Sequence, residues 1–270
     1  MKRLRALFRG IRNFCRFGWI VILAANDFVF GIRLRGKSSS LVARAAWLQR
    51  WSQRVLEDLN IRVERRGVPP AAGVLACNHL SYLDIIVLAA AQPVIFVAKN
   101  EIRHWPVFGW LARGAGTLFV RRDHKSDVAK FNDAFAAVVK EGVILGLFPE
   151  GTSTNSRQVL PFYSSLFEPA VQGRWPVSAA RIGYALGDGS VENDICYWGT
   201  MTFFPHFLRL LTRGKVSAAV AYAPALAPGL DRKAMARQLH RQVEEMAGLV
   251  SKAAAIPDES GRRVDFVHRN

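Results

Sequence analysis

Residues 73–84 read GVLACNHLSYLD and join a short apolar run to a cluster of polar side chains. The run 73–77 has the length and composition of a strand that is buried on both faces of a parallel sheet. The residues that follow the cluster, 85–90, read IIVLAA and predict a helix. A buried strand that passes through a polar turn into a helix is the repeating unit of an α/β fold.

The polar turn contains a histidine and an aspartate, His79 and Asp84. In open α/β sheets, functional sites gather at the carboxyl ends of the strands, which is where this pair is expected. If Asp84 holds and polarises His79, the imidazole can take a proton from a hydroxyl group near neutral pH. A pair at this spacing also arises by chance, and the alternative for His79 is a buried structural histidine.

Other segments repeat the same alternation of strands and helices. Strands are predicted at 61–65, 94–98, 116–120, 143–148, 177–184 and 216–222, and helices at 126–141 and 232–254. The expected fold is α/β, with a mostly parallel central sheet flanked by helices. We expect three segments, namely N-terminal basic membrane-associating helices at 1–60, an α/β domain at 61–256 and a polar tail at 257–270.

The composition narrows the class of partner. The 270 residues include 37 Lys and Arg against 21 Asp and Glu, a net charge of +16, which favours nucleic acid, anionic lipid or phosphorylated substrates. The three cysteines, Cys15, Cys77 and Cys196, are far apart and lack a CxxC spacing. A disulfide framework or zinc site is therefore not expected. We expect instead a reducing, cytosol-facing location.

The N-terminus combines a basic segment, 2–16, with an apolar run at 17–32. No small-residue cleavage site for a signal peptide follows it. The run has about 16 residues, fewer than the ~20 that span a bilayer, and Asp27 would cost about 2.5–3.5 kcal/mol near its centre. We favour a helix or helical hairpin in the cytoplasmic interface, followed by an amphipathic helix at 41–59. A spanning helix and an ordinary core helix with a basic tail are the alternatives.

Three predicted strands end in polar segments, 78–84, 116–122 and 148–153, each a weak signal when taken alone. Together, in this order and spacing, they resemble the glycerolipid acyltransferase family, which contains bacterial 1-acyl-glycerol-3-phosphate acyltransferases. The resemblance covers about residues 61–225. It extends to the runs VAK at 97–99, WPVFGW at 105–110, LPF at 160–162 and WPV at 175–177.

The resemblance implies roles for the polar residues. His79 would be the general base on the acceptor hydroxyl, and Asp84 would orient the imidazole and stabilise its charge. Arg122, Glu150 and Gly151 would line the acceptor site, with Arg122 contacting a phosphate, for which an arginine fork is well suited. The alternative for Glu150 is that its carboxylate only caps the following segment.

Three further residues are candidates for substrate binding. Arg121 is either a ligand or a solvated neighbour, Lys99 either contacts an anionic group or is simply exposed, and Thr152 shapes the loop. The family resemblance has one departure, because many members carry a lysine after Leu-Pro-Phe where this chain has Tyr163. The missing cation weakens the case for a phosphate-bearing acceptor, unless Arg157, Arg121 or Lys99 compensates for it.

The resemblance implies a membrane-associated O-acyltransferase. It would move a fatty acyl group from acyl-CoA or acyl carrier protein to 1-acyl-glycerol-3-phosphate, giving phosphatidic acid, or to another lysolipid such as a lyso-ornithine lipid. The location would be the cytoplasmic face of the bacterial inner membrane, on an anionic surface, with no metal or redox cofactor. A non-catalytic basic protein that binds membrane or nucleic acid is the remaining alternative. Because aromatic-basic stacking patterns are not apparent, no nucleic acid partner is expected.

Overall fold

The computed structural model describes residues 2–37, 40–120, 126–227 and 229–254. The strands are β1 Ile61–Arg66, β2 Val74–Cys77, β3 Val94–Lys99, β4 Leu118–Val120, β5 Ile144–Leu147, β6 Val177–Leu186 and β7 Val216–Tyr222. The helices are α1 Lys2–Asp27, α2 Leu41–Asp58, α3 Leu83–Ala91, α4 Phe108–Gly114, α5 Ser126–Lys140, α6 Glu168–Gln172, α7 Val191–Asp194, α8 Phe203–Leu211, α9 Arg232–Glu245 and α10 Ala247–Ala254. A π-helical turn, Phe28–Arg33, continues α1.

The strands form one sheet in the order β1-β7-β6-β2-β5-β3-β4. Every neighbouring pair is parallel except β6 and β7, which are antiparallel. The expectation of a mostly parallel sheet is confirmed. Because β2, β5, β3 and β4 are parallel neighbours, their carboxyl ends lie along one edge of the sheet, and the polar segments that follow β2 and β5 meet there.

Helices cover both faces of the sheet, and alternate residues of β2 pack into the core on each face. Val74 and Ala76 belong to the core under α5, α9 and α10. Leu75 and Cys77 belong to the core on the opposite face, under α2, α3 and α8. Side chains alternate between the faces of a strand, so a strand buried on both faces is apolar at every position.

The N-terminal helix α1 packs against α2. The indole N–H of Trp47 donates to the carbonyl of Ala24 at 3.2 Å, and that of Trp51 donates to the Asp27 carboxylate at 2.8 Å. Thus the carboxylate of Asp27, whose cost near a bilayer centre disfavours a spanning helix, has hydrogen-bond partners on α2.

The helix α1 also packs on α8. The side-chain amide of Asn13, which is buried, donates to the carbonyl of Leu211 at 2.9 Å, and the rings of Phe17 and Phe207 are 5.0 Å apart. By length and composition alone, the stretch Arg3–Arg33 could cross a membrane. These contacts attach it along its length to the α/β domain.

The single helix predicted for 232–254 is wrong, because the chain turns at Met246 between α9 and α10. The turn lets α10 lie against β6, where Val250 packs over Gly183. A Cβ on Gly183 would come within 2.4 Å of the Val250 side chain, so the strand needs a glycine there. The predicted tail at 257–270 lies outside the described residues.

Candidate active site

The backbone at Asn78 and His79, at the end of β2, is held by two neighbouring segments, the loop after β5 and the strand β6. Its N–H donates to Glu150 Oε1 at 2.7 Å, and its carbonyl accepts from the Thr154 N–H at 2.9 Å. The preceding residue, Asn78, bridges to β6 by accepting from the Ile182 N–H at 2.8 Å and donating to the Ile182 carbonyl at 3.1 Å. The position of the histidine is therefore fixed from both sides of its strand.

The carboxylate of Asp84 is fully buried and accepts four hydrogen bonds. Its Oδ2 lies 2.8 Å from His79 Nδ1 and also accepts from the N–H groups of Leu80 and Ser81, at 2.7 and 2.9 Å. Its Oδ1 accepts from the Tyr184 hydroxyl at 2.6 Å. Asp84 is in the first turn of α3, where free N–H groups and the helix dipole both stabilise a negative charge.

This arrangement selects the tautomer of His79. A carboxylate can only accept, so the neutral imidazole carries its proton on Nδ1 and presents a lone pair on Nε2. One face of the ring stacks on Phe148, with the ring centres 4.0 Å apart, and the side chain is 21% exposed. This geometry suits a general base that acts through Nε2, and the catalytic role of His79 stays a prediction.

Glu150 lies behind the histidine, where both of its carboxylate oxygens accept from backbone N–H groups. Oε1 accepts from His79 and Oε2 from Leu160, each at 2.7 Å, and the residue is 2% exposed. Burial raises the pKa of its carboxyl, and the two N–H donors oppose that rise. The carboxylate joins the polar turn at 78–84, which we call the catalytic turn, to the segment 158–162. Its predicted contact with substrate stays a prediction.

The other predicted site residues lie along the same edge where they are described. Gly151, at a φ of +72°, and the exposed Thr152 follow Glu150 after β5. Lys99 is exposed at the end of β3, opposite Val120 at the end of β4. Arg121 and Arg122, which come directly after Val120 in the sequence, lie outside the described residues.

Three residues of the site were missed by the sequence reasoning. Tyr184 donates to Asp84 across 100 positions of sequence, and no local pattern marks it. Asn78 and Phe148 each stand directly at the end of a predicted strand, and that position was a usable signal. Polar and aromatic residues at the carboxyl end of such a strand lie at the edge of the sheet, next to the site.

Nearby hydroxyl and thiol groups do not act as enzyme nucleophiles. Burial raises the pKa of Cys77, and it raises that of Cys196 to about 12, so both thiols stay protonated. The Ser153 hydroxyl donates to the carbonyl of Tyr197. In the described part of the chain, the imidazole of His79 bonds no serine or cysteine. The arrangement is therefore that of an enzyme site in which a histidine and a buried carboxylate have no serine or cysteine nucleophile bonded to them among the described residues.

Comparison with known proteins identifies the family. The acyltransferase family model matches residues 60–183. A lyso-ornithine lipid O-acyltransferase of Pseudomonas aeruginosa is 33% identical over 247 residues, which cover 90% of this chain and 93% of that protein. A 1-acyl-sn-glycerol-3-phosphate acyltransferase of Neisseria meningitidis is 32% identical over 66% of this chain and 69% of its own.

The fold agrees with this assignment. The crystal structure of the 1-acyl-sn-glycerophosphate acyltransferase PlsC of Thermotoga maritima matches with a TM-score of 0.64 and 21% identity, over 91% of this chain and 98% of that one. The chain belongs to the acyltransferase family, and the protein is an acyltransferase.

Proposed function

We propose that the protein transfers a fatty acyl group from an acyl thioester to the hydroxyl of a lysolipid. The observation that carries this proposal is the 2.8 Å contact between His79 Nδ1 and the buried Asp84 Oδ2. Nε2 of His79 takes the proton of the acceptor hydroxyl as its oxygen attacks the thioester carbonyl carbon. The tetrahedral intermediate then expels the thiolate, which receives the proton from the imidazolium. The mechanism requires neither a metal ion nor a redox cofactor.

Two acceptors have support within this class. The Neisseria relative is named for 1-acyl-sn-glycerol-3-phosphate, and the exposed cation of Lys99 at the edge of the site suits a phosphate. The Pseudomonas relative, which is matched over more of this chain, is named for lyso-ornithine lipid. The neutral Tyr163, whose N–H bonds the Pro149 carbonyl beside Glu150, favours this second acceptor.

A panel of donors and acceptors tests the proposal. Purified protein is incubated with radiolabelled acyl-CoA or acyl carrier protein and with each lysolipid, and the diacyl product is quantified by chromatography. We expect turnover with at least one of the two acceptors. Replacing Tyr163 with lysine should raise kcat/KM for the phosphate acceptor about fivefold relative to lyso-ornithine lipid, because a half-exposed cation adds about 1 kcal/mol of attraction.

The control for this change is Tyr163→Phe, which alters the same side chain without adding a charge and should leave the ratio of the two acceptors unchanged. Absence of transfer to every lysolipid with both donors would refute the proposed function.

The outer surface of α1 supports a location at an anionic membrane. Six of its exposed apolar side chains recur every three or four residues and form one stripe: Leu4, Phe8, Ile11, Cys15, Trp19 and Ile22. Exposed arginines flank the stripe: Arg3, Arg5, Arg12 and Arg16. A helix with this pattern lies in the interface, its apolar face among the acyl chains and its arginines at the headgroups. We propose that the protein binds the cytoplasmic face of a bacterial inner membrane, where its thioester donors are found.

Membrane binding is tested by placing charges on the stripe. The double variant Phe8→Asp/Ile11→Asp should bind vesicles of anionic phospholipid at least 30-fold more weakly than the wild type, because each buried apolar side chain contributes about 1.5–3 kcal/mol. Co-sedimentation measures the bound fraction. The matched control is Val68→Asp/Leu249→Asp, which places the same two charges on exposed apolar residues in the turn after β1 and on α10, and it should bind normally. Equal binding by Phe8→Asp/Ile11→Asp would contradict the interfacial assignment.

A further inference from the structure

The buried carboxylate of Asp84 has a partner outside the catalytic turn. Oδ2 is occupied by His79 and by two backbone N–H groups, all from residues 79–81. Oδ1 points the other way and accepts from the hydroxyl of Tyr184 at 2.6 Å. Tyr184 is buried near the end of β6, which pairs with β2 and so brings the phenol under the catalytic turn.

The direction of this hydrogen bond is settled by chemistry. Burial raises the pKa of Tyr184 well above its ordinary value, and the neighbouring Asp84 charge raises it further. The phenol therefore stays protonated and donates, while the carboxylate only accepts. A bond from a neutral donor to an ionised acceptor is short and strong, in keeping with the 2.6 Å separation.

We infer that Tyr184 is a positioning residue of the acyl transfer reaction, which sets both the plane of the Asp84 carboxylate and the basicity of His79. The inference rests on the proposed function for its kinetic consequences. The three donors on Oδ2 fix one end of the carboxylate, and the hydroxyl on Oδ1 prevents rotation about the Cβ–Cγ bond. The same hydroxyl draws negative charge toward Oδ1 and away from the imidazole.

Two opposite effects follow when the hydroxyl is removed. The carboxylate loses its orientation, so the imidazole is held less well and kcat falls. Its charge is then concentrated on Oδ2, which stabilises the imidazolium and moves the titration of His79 to higher pH. The catalytic form is the neutral imidazole, which becomes protonated as the pH is lowered. On acidification, the variant therefore loses its activity at a higher pH than the wild type does.

Other titratable groups interact with Asp84, His79 or Tyr184 from the surrounding elements and stay unchanged in the test. They are Glu150 after β5, Cys77 on β2 and Cys196 after α7. A shift of the pH profile in a Tyr184 variant is therefore attributable to its hydroxyl.

The test compares Tyr184→Phe with Tyr222→Phe. Tyr222 is a matched control because it is a buried tyrosine on the adjacent strand β7, and its hydroxyl bonds none of the described residues. In Tyr184→Phe we expect kcat to fall about tenfold, as for the loss of one ordinary hydrogen bond. The KM values of donor and acceptor should change less than twofold, because Tyr184 is buried and its hydroxyl bonds Asp84. The acid limb of the kcat profile should move up by about half a pH unit.

A direct titration separates this inference from the proposed function. NMR of histidine-labelled protein, with the His79 signal assigned from a His79→Asn spectrum, should show the titration midpoint of His79 rising in Tyr184→Phe and unchanged in Tyr222→Phe. A site-specific 3-fluorotyrosine at 184, which is a stronger donor, should move the midpoint to lower pH, and it serves if Tyr184→Phe does not fold. Midpoints unmoved by either change would overturn the inference, whereas a protein without lysolipid turnover would overturn only the proposed function.

Discussion

Replacing His79 with alanine is expected to lower kcat for acyl transfer by about 10²–10⁴-fold, the range that a positioned general base contributes. The hydroxyl of a lipid is a weak nucleophile until its proton is removed, and Nε2 of His79 is the nitrogen left free for that task by the bond from Nδ1 to Asp84. The KM values should change little, because the base acts in the transition state. Initial rates with radiolabelled donor at saturating lysolipid measure the effect.

Two further variants separate loss of the base from loss of structure. His79→Asn keeps an amide N–H near the position of Nδ1, so the buried carboxylate retains its donor while the base is absent. Its activity should fall as far as that of His79→Ala, with less loss of thermal stability. His104→Ala removes an exposed histidine and should leave the rate unchanged. Activity within fivefold of the wild type in both His79 variants would exclude this residue as the base.

Replacing Asp84 with asparagine is expected to lower kcat by about 10³–10⁴-fold while leaving the protein folded. The amide oxygen can take the place of Oδ2 and accept from Leu80 and Ser81, and the NH₂ group can donate to the Tyr184 oxygen. What is lost is the negative charge that stabilises the imidazolium as His79 takes the proton. Alanine, in contrast, would leave four buried donors without an acceptor, each costing about 1–3 kcal/mol, so asparagine is the more informative change.

The double variant His79→Ala/Asp84→Asn adds a stricter test. Because Asp84 acts through the imidazole, we expect the double variant to be no slower than His79→Ala alone. Asp133→Asn, which neutralises an exposed aspartate on α5, is the control for loss of one charge and should be fully active. Multiplicative losses in the double variant would mean that Asp84 and His79 act independently.

The strands and the catalytic turn could be predicted from sequence because their signals are local. The apolar runs at 94–98 and 216–222 correspond to β3 and β7, since a strand covered on both faces must be apolar throughout. His79 and Asp84 meet within one turn at the start of α3, and their separation of five residues is enough to predict that contact. The alternation of basic and apolar residues in α1 is also a local signal and predicts a helix. The packing of that helix on α2 and α8 could not be predicted from the alternation.

Long-range contacts were not predictable, because they join residues far apart in sequence that carry no shared pattern. The chain alone indicated an α/β acyltransferase with a histidine base and an aspartate partner, since strand patterns and short motifs reside in adjacent residues. Two contacts became known only from the folded sheet. Glu150, 71 positions away, accepts from the His79 N–H, and the Tyr184 hydroxyl donates to Oδ1 of Asp84. Strand order and packing create these pairings, and neither is encoded in any single stretch of the chain.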